Sequence, residues 1–292
     1  MKPWNKLTDK ERHILLEKGT ERPFSGEYNQ HYANGIYVCR QCEEPLYRSY
    51  DKFKSSCGWP SFDEELPHAI SKCLDEDGRR TEITCQNCGG HLGHVFSGER
   101  LTEKNIRHCV NSLSLKFIPF DHLLTLALKD HERYETLIVA GGCFWGVEYF
   151  FEKEKGVLAT AVGYSGGQHP NPTYEQVCSG TTDHAESVAI VIDKGIADIK
   201  KCYELFFDIH DPTQLNQQGP DKGSQYRSAV FYSTEQQKKI TEEIITHLKA
   251  KNKAVVTQVE AFKQFWIAED HHQKYFTLRG QAPTCHFKRT KK

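Results

Sequence analysis

Apolar residues recur along this chain in two different rhythms. Up to about Phe120 they come in short runs, GIYVC, RTEITC and NSLSLKFIPF, broken by Gly, Pro and Cys. Runs of that length bounded by turn residues predict short β-strands. One helix is expected ahead of them: in TDKERHILLEK, Thr8 precedes an apolar-periodic stretch and Glu11 completes a capping box. From about residue 135 the runs TLIVA, VLATAVGY, SVAIVID, SAVFY and AVVTQVE alternate with stretches of helical period. The strongest of these are ADIKKCYELFFDIH, STEQQKKITEEIITHLKAKN, with Ser233 or Thr234 as cap, and EAFKQFWIAEDHHQKYF. Strands alternating with amphipathic helices predict a mixed α/β layer structure. Between the halves, DHLLTLALKDHERYE carries Leu123, Leu124, Leu126 and Leu128 and then charges, which predicts a helical connector. The expected organisation is a β-rich domain over 1–120, a linker over 121–135 and an α+β domain over 136–292, without internal repeats.

At 292 residues the chain is long enough for two cores. A net charge of −1 gives no reason to expect nucleic acid or an anionic membrane as partner. No apolar run is long enough to span a bilayer, and MKPWNKLTDKERHILLEKG lacks the apolar core of a signal peptide. Cytoplasmic residence is therefore expected. Eleven cysteines in a reducing compartment point to metal binding or catalysis rather than disulfides. Met1 is the only methionine, which compositional drift explains adequately.

Cys39 and Cys42 form one C-x-x-C pair, and Cys85 and Cys88 a second. Four thiolates suit tetrahedral Zn²⁺ and leave no open position, so the expected metal is structural; two independent redox dithiols are the alternative. Cys57, Cys73 and Cys109 remain in this half. Cys57 lies in SSCGWPSF beside Trp59, and Cys109 in NIRHCVNSLSLKF. Arg107 would share the face of Cys109 on a strand and favour its thiolate. HLGHVF adds His91 and His94, one helical turn or a tight loop apart.

CGWPSF, HLGHVF and RHCVNS, framed by the two C-x-x-C pairs, resemble the B-type peptide-methionine sulfoxide reductases over residues 5–118. The resemblance implies a zinc-containing Mss4-like fold with Cys109 as nucleophile toward the sulfoxide sulfur. His91, His94 and Asn111 would bind and protonate the oxygen, Arg107 would stabilise the thiolate, Trp59 would contact the methyl group, and Cys57 would resolve. Cys73 matches no motif.

In LIVAGGCFWGVEYFFEK an apolar strand is expected to end at Ala140, Gly141-Gly142 to turn the chain, and a helix to begin in GVEYFFEK. A cysteine at a helix N-terminus is favoured as thiolate. Glu186, just before an apolar strand, should be desolvated and hence a proton donor at neutral pH. Tyr174 and Tyr226 flank polar turns. A cysteine hydrolase using Cys143, His184 and Glu186 would need the histidine as base beside the thiol. A zinc-ribbon binding module fused to an enzyme would need a basic, aromatic-laced face.

GGCFWG, GYSGG, NPTYEQVCSG, DHAESV, DKGSQYRS and AEDHHQKYF resemble the A-type peptide-methionine sulfoxide reductases over about 135–285. The resemblance implies a ferredoxin-like core with Cys143 as nucleophile, Phe144 and Trp145 holding the methyl group, and Glu186 protonating the departing oxygen. Tyr174 and Tyr226 would hydrogen-bond that oxygen, Asp221 would shape the site, and Cys285 would resolve the sulfenic acid from the tail. Cys178 and Cys202 have no derived role. Together the two resemblances imply reduction of both sulfoxide epimers, S by the C-terminal and R by the N-terminal domain. The substrate would be free or protein-bound methionine sulfoxide, and thioredoxin or a similar dithiol the reductant.

Overall fold

The computed structural model describes residues 4–75, 78–129, 132–284 and 286–288. The chain forms two compact units that divide between Leu123 and Leu124, with the helix Phe120–Lys129 running across the division.

In the first unit, helix Asp9–Leu15 begins at Thr8. The Glu11 carboxylate accepts the Thr8 N–H at 2.7 Å while the Thr8 hydroxyl accepts from the Glu11 N–H, the expected capping box. Strand Gly35–Cys39 is the centre of a three-stranded antiparallel sheet, between Pro45–Arg48 and Leu115–Pro119. A second, six-stranded antiparallel sheet runs in the order Lys52–Phe53, Ser61–Phe62, Ile106–Val110, His91–Ser97, Thr81–Cys85 and Ile70–Leu74. Its register aligns Ser61, Cys109, His94, Glu82 and Cys73 in one cross-strand row. Directly opposed residues share a face, so this row sets Cys109, His94 and Glu82 on one side of the sheet.

HLGHVF is neither a helical turn nor a tight loop but the start of strand His91–Ser97. Against Thr81–Cys85 the pairing shifts from Ile83 opposite Gly93 to Thr84 opposite His91. The extra residue, Leu92, makes a bulge and returns His91 to the face of His94 although three positions separate them. Their ring centroids are 5.6 Å apart.

In the second unit, strands Tyr134–Gly141, Val157–Ser165, Ala185–Asp193 and Ser228–Tyr232 follow one another with helices Phe144–Phe151 and Ile199–Ile209 in the first and third connections. In space the third strand lies between the first and second, and the first between the third and fourth, all antiparallel. These are two interleaved split β-α-β units. Val157–Ser165 and Ala185–Asp193 are buried along their whole length, which accounts for continuous apolar runs where a half-exposed strand would alternate. Leu137, Val139, Val162, Val188 and Ile190 pack there against Phe144, Phe151 and Phe206. A fully buried phenylalanine such as Phe206 contributes about 2–3 kcal/mol. Helix Glu235–Ala250 starts from Thr234, whose hydroxyl accepts the Gln237 N–H.

EAFKQFWIAEDHHQKYF is not the expected helix. It contributes to strand Gln258–Ala261, parallel to Ser228–Tyr232, and supplies Phe265–Ile267, antiparallel to Val157–Ser165; it continues as a 3₁₀ turn and the short helix Tyr275–Leu278. Both ends of the sheet had open edges for this segment to pair with, and that pairing outweighs its helical spacing. AVVTQVE likewise becomes strand only from Gln258 onward.

Candidate functional site

Each C-x-x-C pair closes a strand end with the same turn. Glu43 N–H donates to the Cys39 carbonyl at 2.9 Å, and Gly89 N–H to the Cys85 carbonyl at 2.8 Å. The turns place Cys39 Sγ 3.6 Å from Cys88 Sγ and Cys42 Sγ 3.6 Å from Cys85 Sγ, with all four sulfurs within 4.8 Å of one another. A tetrahedron with Zn–S bonds of about 2.3 Å has edges of about 3.8 Å, so these residues fit the ion. Disulfide sulfurs would be about 2.05 Å apart.

Around the cross-strand row, Cys109 Sγ lies 3.8 Å from Cys57 Sγ. Cys57 is also 3.0 Å from the Ser55 hydroxyl and 3.4 Å from the Ser61 hydroxyl. That separation allows one S–H···S hydrogen bond between the two sulfurs. The hydrogen bond from Cys109, assisted by the serines, holds the Cys57 thiol down at about 4, whereas that same bond and burial push Cys109 up. Arg107 opposes the rise on Cys109 by charge and hydrogen bonding. Its guanidinium is fixed by a bidentate pair with Glu99 at 2.7 and 2.8 Å and lies 4.5 Å above the Phe96 ring.

Both histidines are braced by carboxylates. His91 Nδ1 donates to Glu82 at 2.7 Å, and His94 Nε2 lies 3.0 Å from Asp75. Burial lowers the pKa of His91, with Glu82 opposing. Asn111 joins three segments, accepting from Glu21 N–H and donating to the Leu92 carbonyl, each at 3.1 Å. Trp59 follows Gly58, whose φ of +93° suits glycine, and its indole N–H donates to the Glu21 carbonyl at 3.1 Å. Glu82, Asp75 and Glu99 escaped the sequence reading. Alternation in RTEITC could have flagged Glu82, but Asp75 and Glu99 lie in loops, where no periodicity points inward.

In the second unit, strand Tyr134–Gly141 runs one residue past Ala140, Gly142 takes φ +92°, and Cys143 becomes the N-cap of helix Phe144–Phe151. The positive end of that helix favours negative charge on the sulfur. Glu186 lies inside strand Ala185–Asp193, 2% exposed, and its Oε2 accepts the N–H of Phe144, the residue after the cysteine, at 3.1 Å. Burial drives its carboxyl up to about 8; the Phe144 N–H opposes this and Asp221 adds to it. The phenols of Tyr174 and Tyr226 are raised, mainly by burial and, among further causes, by the Glu186 charge.

The aromatic pair is less free than the sequence suggests. Phe144 is buried, and Trp145 stacks on Tyr275 with centroids 3.7 Å apart and planes within 5°. Tyr164 stands opposite Glu186 and donates to Glu269 at 2.9 Å. Glu269 also accepts the Tyr174 N–H at 2.9 Å, tying the start of the short helix Tyr174–Cys178 to the site. His184 accepts from the Gly167 N–H at 3.1 Å and donates to the His169 carbonyl at 2.8 Å, so both ring nitrogens are committed and the hydrolase arrangement lacks its base. Cys285 lies outside the described residues. Cys202 is in the core, where burial raises its thiol to about 12, and Cys73 and Cys178 are exposed. Among the described residues no helix is long and apolar enough to cross a membrane.

Residues 135–292 match the family model for peptide methionine sulfoxide reductase, and residues 7–119 that for the SelR domain. Peptide methionine sulfoxide reductase MsrA of Saccharolobus solfataricus is 46% identical over 152 residues, covering 52% of this chain and 86% of the relative. Peptide methionine sulfoxide reductase B5 of Oryza sativa subsp. japonica is 57% identical over 114 residues, 39% of this chain and 84% of the relative. The crystal structure of reduced Mxr1 from Saccharomyces cerevisiae superposes with a TM-score of 0.52 at 33% identity, covering 55% of this chain and 94% of that one. The chain belongs to the peptide methionine sulfoxide reductase family, with a SelR domain preceding its reductase domain.

Proposed function

We propose that the chain reduces both epimers of methionine sulfoxide, the R epimer in residues 1–120 and the S epimer in 136–292, with 121–135 as linker. The observation that carries this reading is the Cys57–Cys109 separation of 3.8 Å. A nucleophile with a second thiol in bonding reach suits a reaction that ends in a disulfide, which a hydrolase does not need. In each half the nucleophile, Cys109 or Cys143, attacks the sulfoxide sulfur. The S–O oxygen takes protons, methionine leaves, and the cysteine retains the oxygen as sulfenic acid. A second cysteine then displaces that oxygen as water, forming a disulfide that a dithiol such as thioredoxin reduces.

In the N-terminal site His91, His94 and Asn111 serve the oxygen, Arg107 supports charge on Cys109, Trp59 faces the methyl group, and Cys57 resolves. In the C-terminal site Glu186 is the acid, with Tyr174 and Tyr226 as hydrogen-bond donors and Asp221 shaping the site, adding to the burial that keeps the carboxyl protonated. Phe144 and Trp145 form the methyl-binding wall, and Cys285 resolves. Cys39, Cys42, Cys85 and Cys88 would hold a structural Zn²⁺, which supplies cross-linking of two strand ends and no chemistry. The interleaved β-α-β units support a ferredoxin-like core, and the four-cysteine clasp between sheets supports an Mss4-like N-terminal fold.

Adding R sulfoxide without reductant should consume two thiols per methionine released and yield a Cys57–Cys109 disulfide in peptide mapping. Full release with no thiol loss would exclude the scheme. The acid assignment has its own signature. A carboxyl of pKa about 8 is protonated below that pH and loses its proton above it. S-epimer kcat/KM should therefore decline through an alkaline limb near 8. Glu186→Gln should lower it by about 10²–10⁴-fold and remove that limb. An unchanged limb in the variant would assign it to another group.

A further inference from the structure

His286, beyond the last helix, sits where the nucleophile is presented. His286 is 1% exposed, and its Nε2 donates to the Gly141 carbonyl at 2.8 Å. Gly141 ends the strand that leads into the Cys143 turn. The ring fills the space a side chain at position 146 would occupy: a Cβ there would lie 2.2 Å from His286 Nδ1. A Cβ on Gly142 would meet the ring at 3.5 Å. Two residues on, Lys288 pairs with Glu154 at 2.8 Å, just past the same helix. Gly146 thus does a job that helix propensity disfavours: it opens a slot in the first turn of the nucleophile helix for one imidazole.

We propose that His286 is a positioning residue that docks the C-terminal tail on the Cys143 turn, so that the thiol of the preceding residue, Cys285, is delivered to the oxidised nucleophile. The inference rests on Cys285 being the resolving cysteine. Cys285 lies outside the described residues, and only its peptide bond to His286 is used: consecutive Cα atoms are about 3.8 Å apart. Holding two groups in one locale turns their encounter into a first-order step with a large effective concentration. In that step the Cys285 sulfur attacks the Cys143 sulfur, the S–O bond breaks as the S–S bond forms, and the oxygen leaves as water with the thiol proton. No outside oxidant or reductant enters it. Donation from Nε2 also requires that tautomer, which an Ala substitution removes outright and an added methyl at Gly146 displaces.

The test compares His286→Ala and Gly146→Ala with the parent full-length chain. Gly146 has ordinary helical backbone, so alanine there leaves the helix intact while evicting the ring. Rapid-quench experiments with S sulfoxide would follow methionine release and Cys143–Cys285 disulfide formation separately. Both variants should slow disulfide formation about tenfold more than methionine release, and dithiothreitol should restore turnover better than thioredoxin does. Equal losses in both steps would reduce the imidazole to a support of the nucleophile turn and overturn the proposal, as would no loss in either. Cys285→Ser serves as control. If it still turns over with thioredoxin, the resolver assignment fails independently of any docking by His286.

Discussion

Replacing Cys143 with serine should abolish S-epimer reduction, by at least about 10⁴-fold in kcat/KM, and leave R-epimer reduction intact. The loss is large because the serine hydroxyl stays protonated at neutral pH and is a poor nucleophile toward sulfur. The helix N-terminus can favour charge on a thiolate, yet it acts on a hydroxyl too weakly to ionise it. Stability should change little, since Cys143 is only half-buried and serine can cap the same helix. Far-ultraviolet circular dichroism should overlay that of the parent. S-epimer assays would then report chemistry alone.

The second large effect is on folding. On the proposed assignment of a structural Zn²⁺ to the four cysteines, its removal by chelation or by Cys85→Ala should unfold the N-terminal unit and eliminate R-epimer reduction while S-epimer reduction survives. Structural Zn²⁺ binding is worth about 10–16 kcal/mol in small metal-folded peptides, which matches or exceeds the roughly 5–15 kcal/mol stability of a whole domain. Without the ion, four thiols held within 4.8 Å would sit largely buried with poor partners. Metal analysis should find one zinc per chain in the parent and none after Cys85→Ala. A zinc-free N-terminal unit with full R-epimer activity and an unshifted thermal transition would contradict the structural role.

The sequence disclosed some of this geometry and concealed the rest for physical reasons. The Cys143 turn was legible because each step has a local cause: an apolar run, a glycine with positive φ, then helix-forming residues. Glu186 was legible because an acidic residue flanking an apolar run is desolvated wherever the strand pairs; it proves to be inside the strand itself. The spacing of His91 and His94 was not legible, because a bulge at Leu92 depends on the register of the partner strand. The segment around Phe265 and Trp266 was misread for a related reason, since sheet edges made by distant residues recruited it as strand. His286 carried no local signal at all, as its slot is made by a glycine 140 positions away.

The central claim is that two independent thiol sites act on opposite epimers. It is tested most directly by assaying Cys143→Ser and Cys109→Ser, each as the full chain, against the separated R and S sulfoxides with dithiothreitol. Cys143→Ser should retain only R-epimer reduction and Cys109→Ser only S-epimer reduction. If either single substitution removed both activities, or neither, the two-site account would be contradicted.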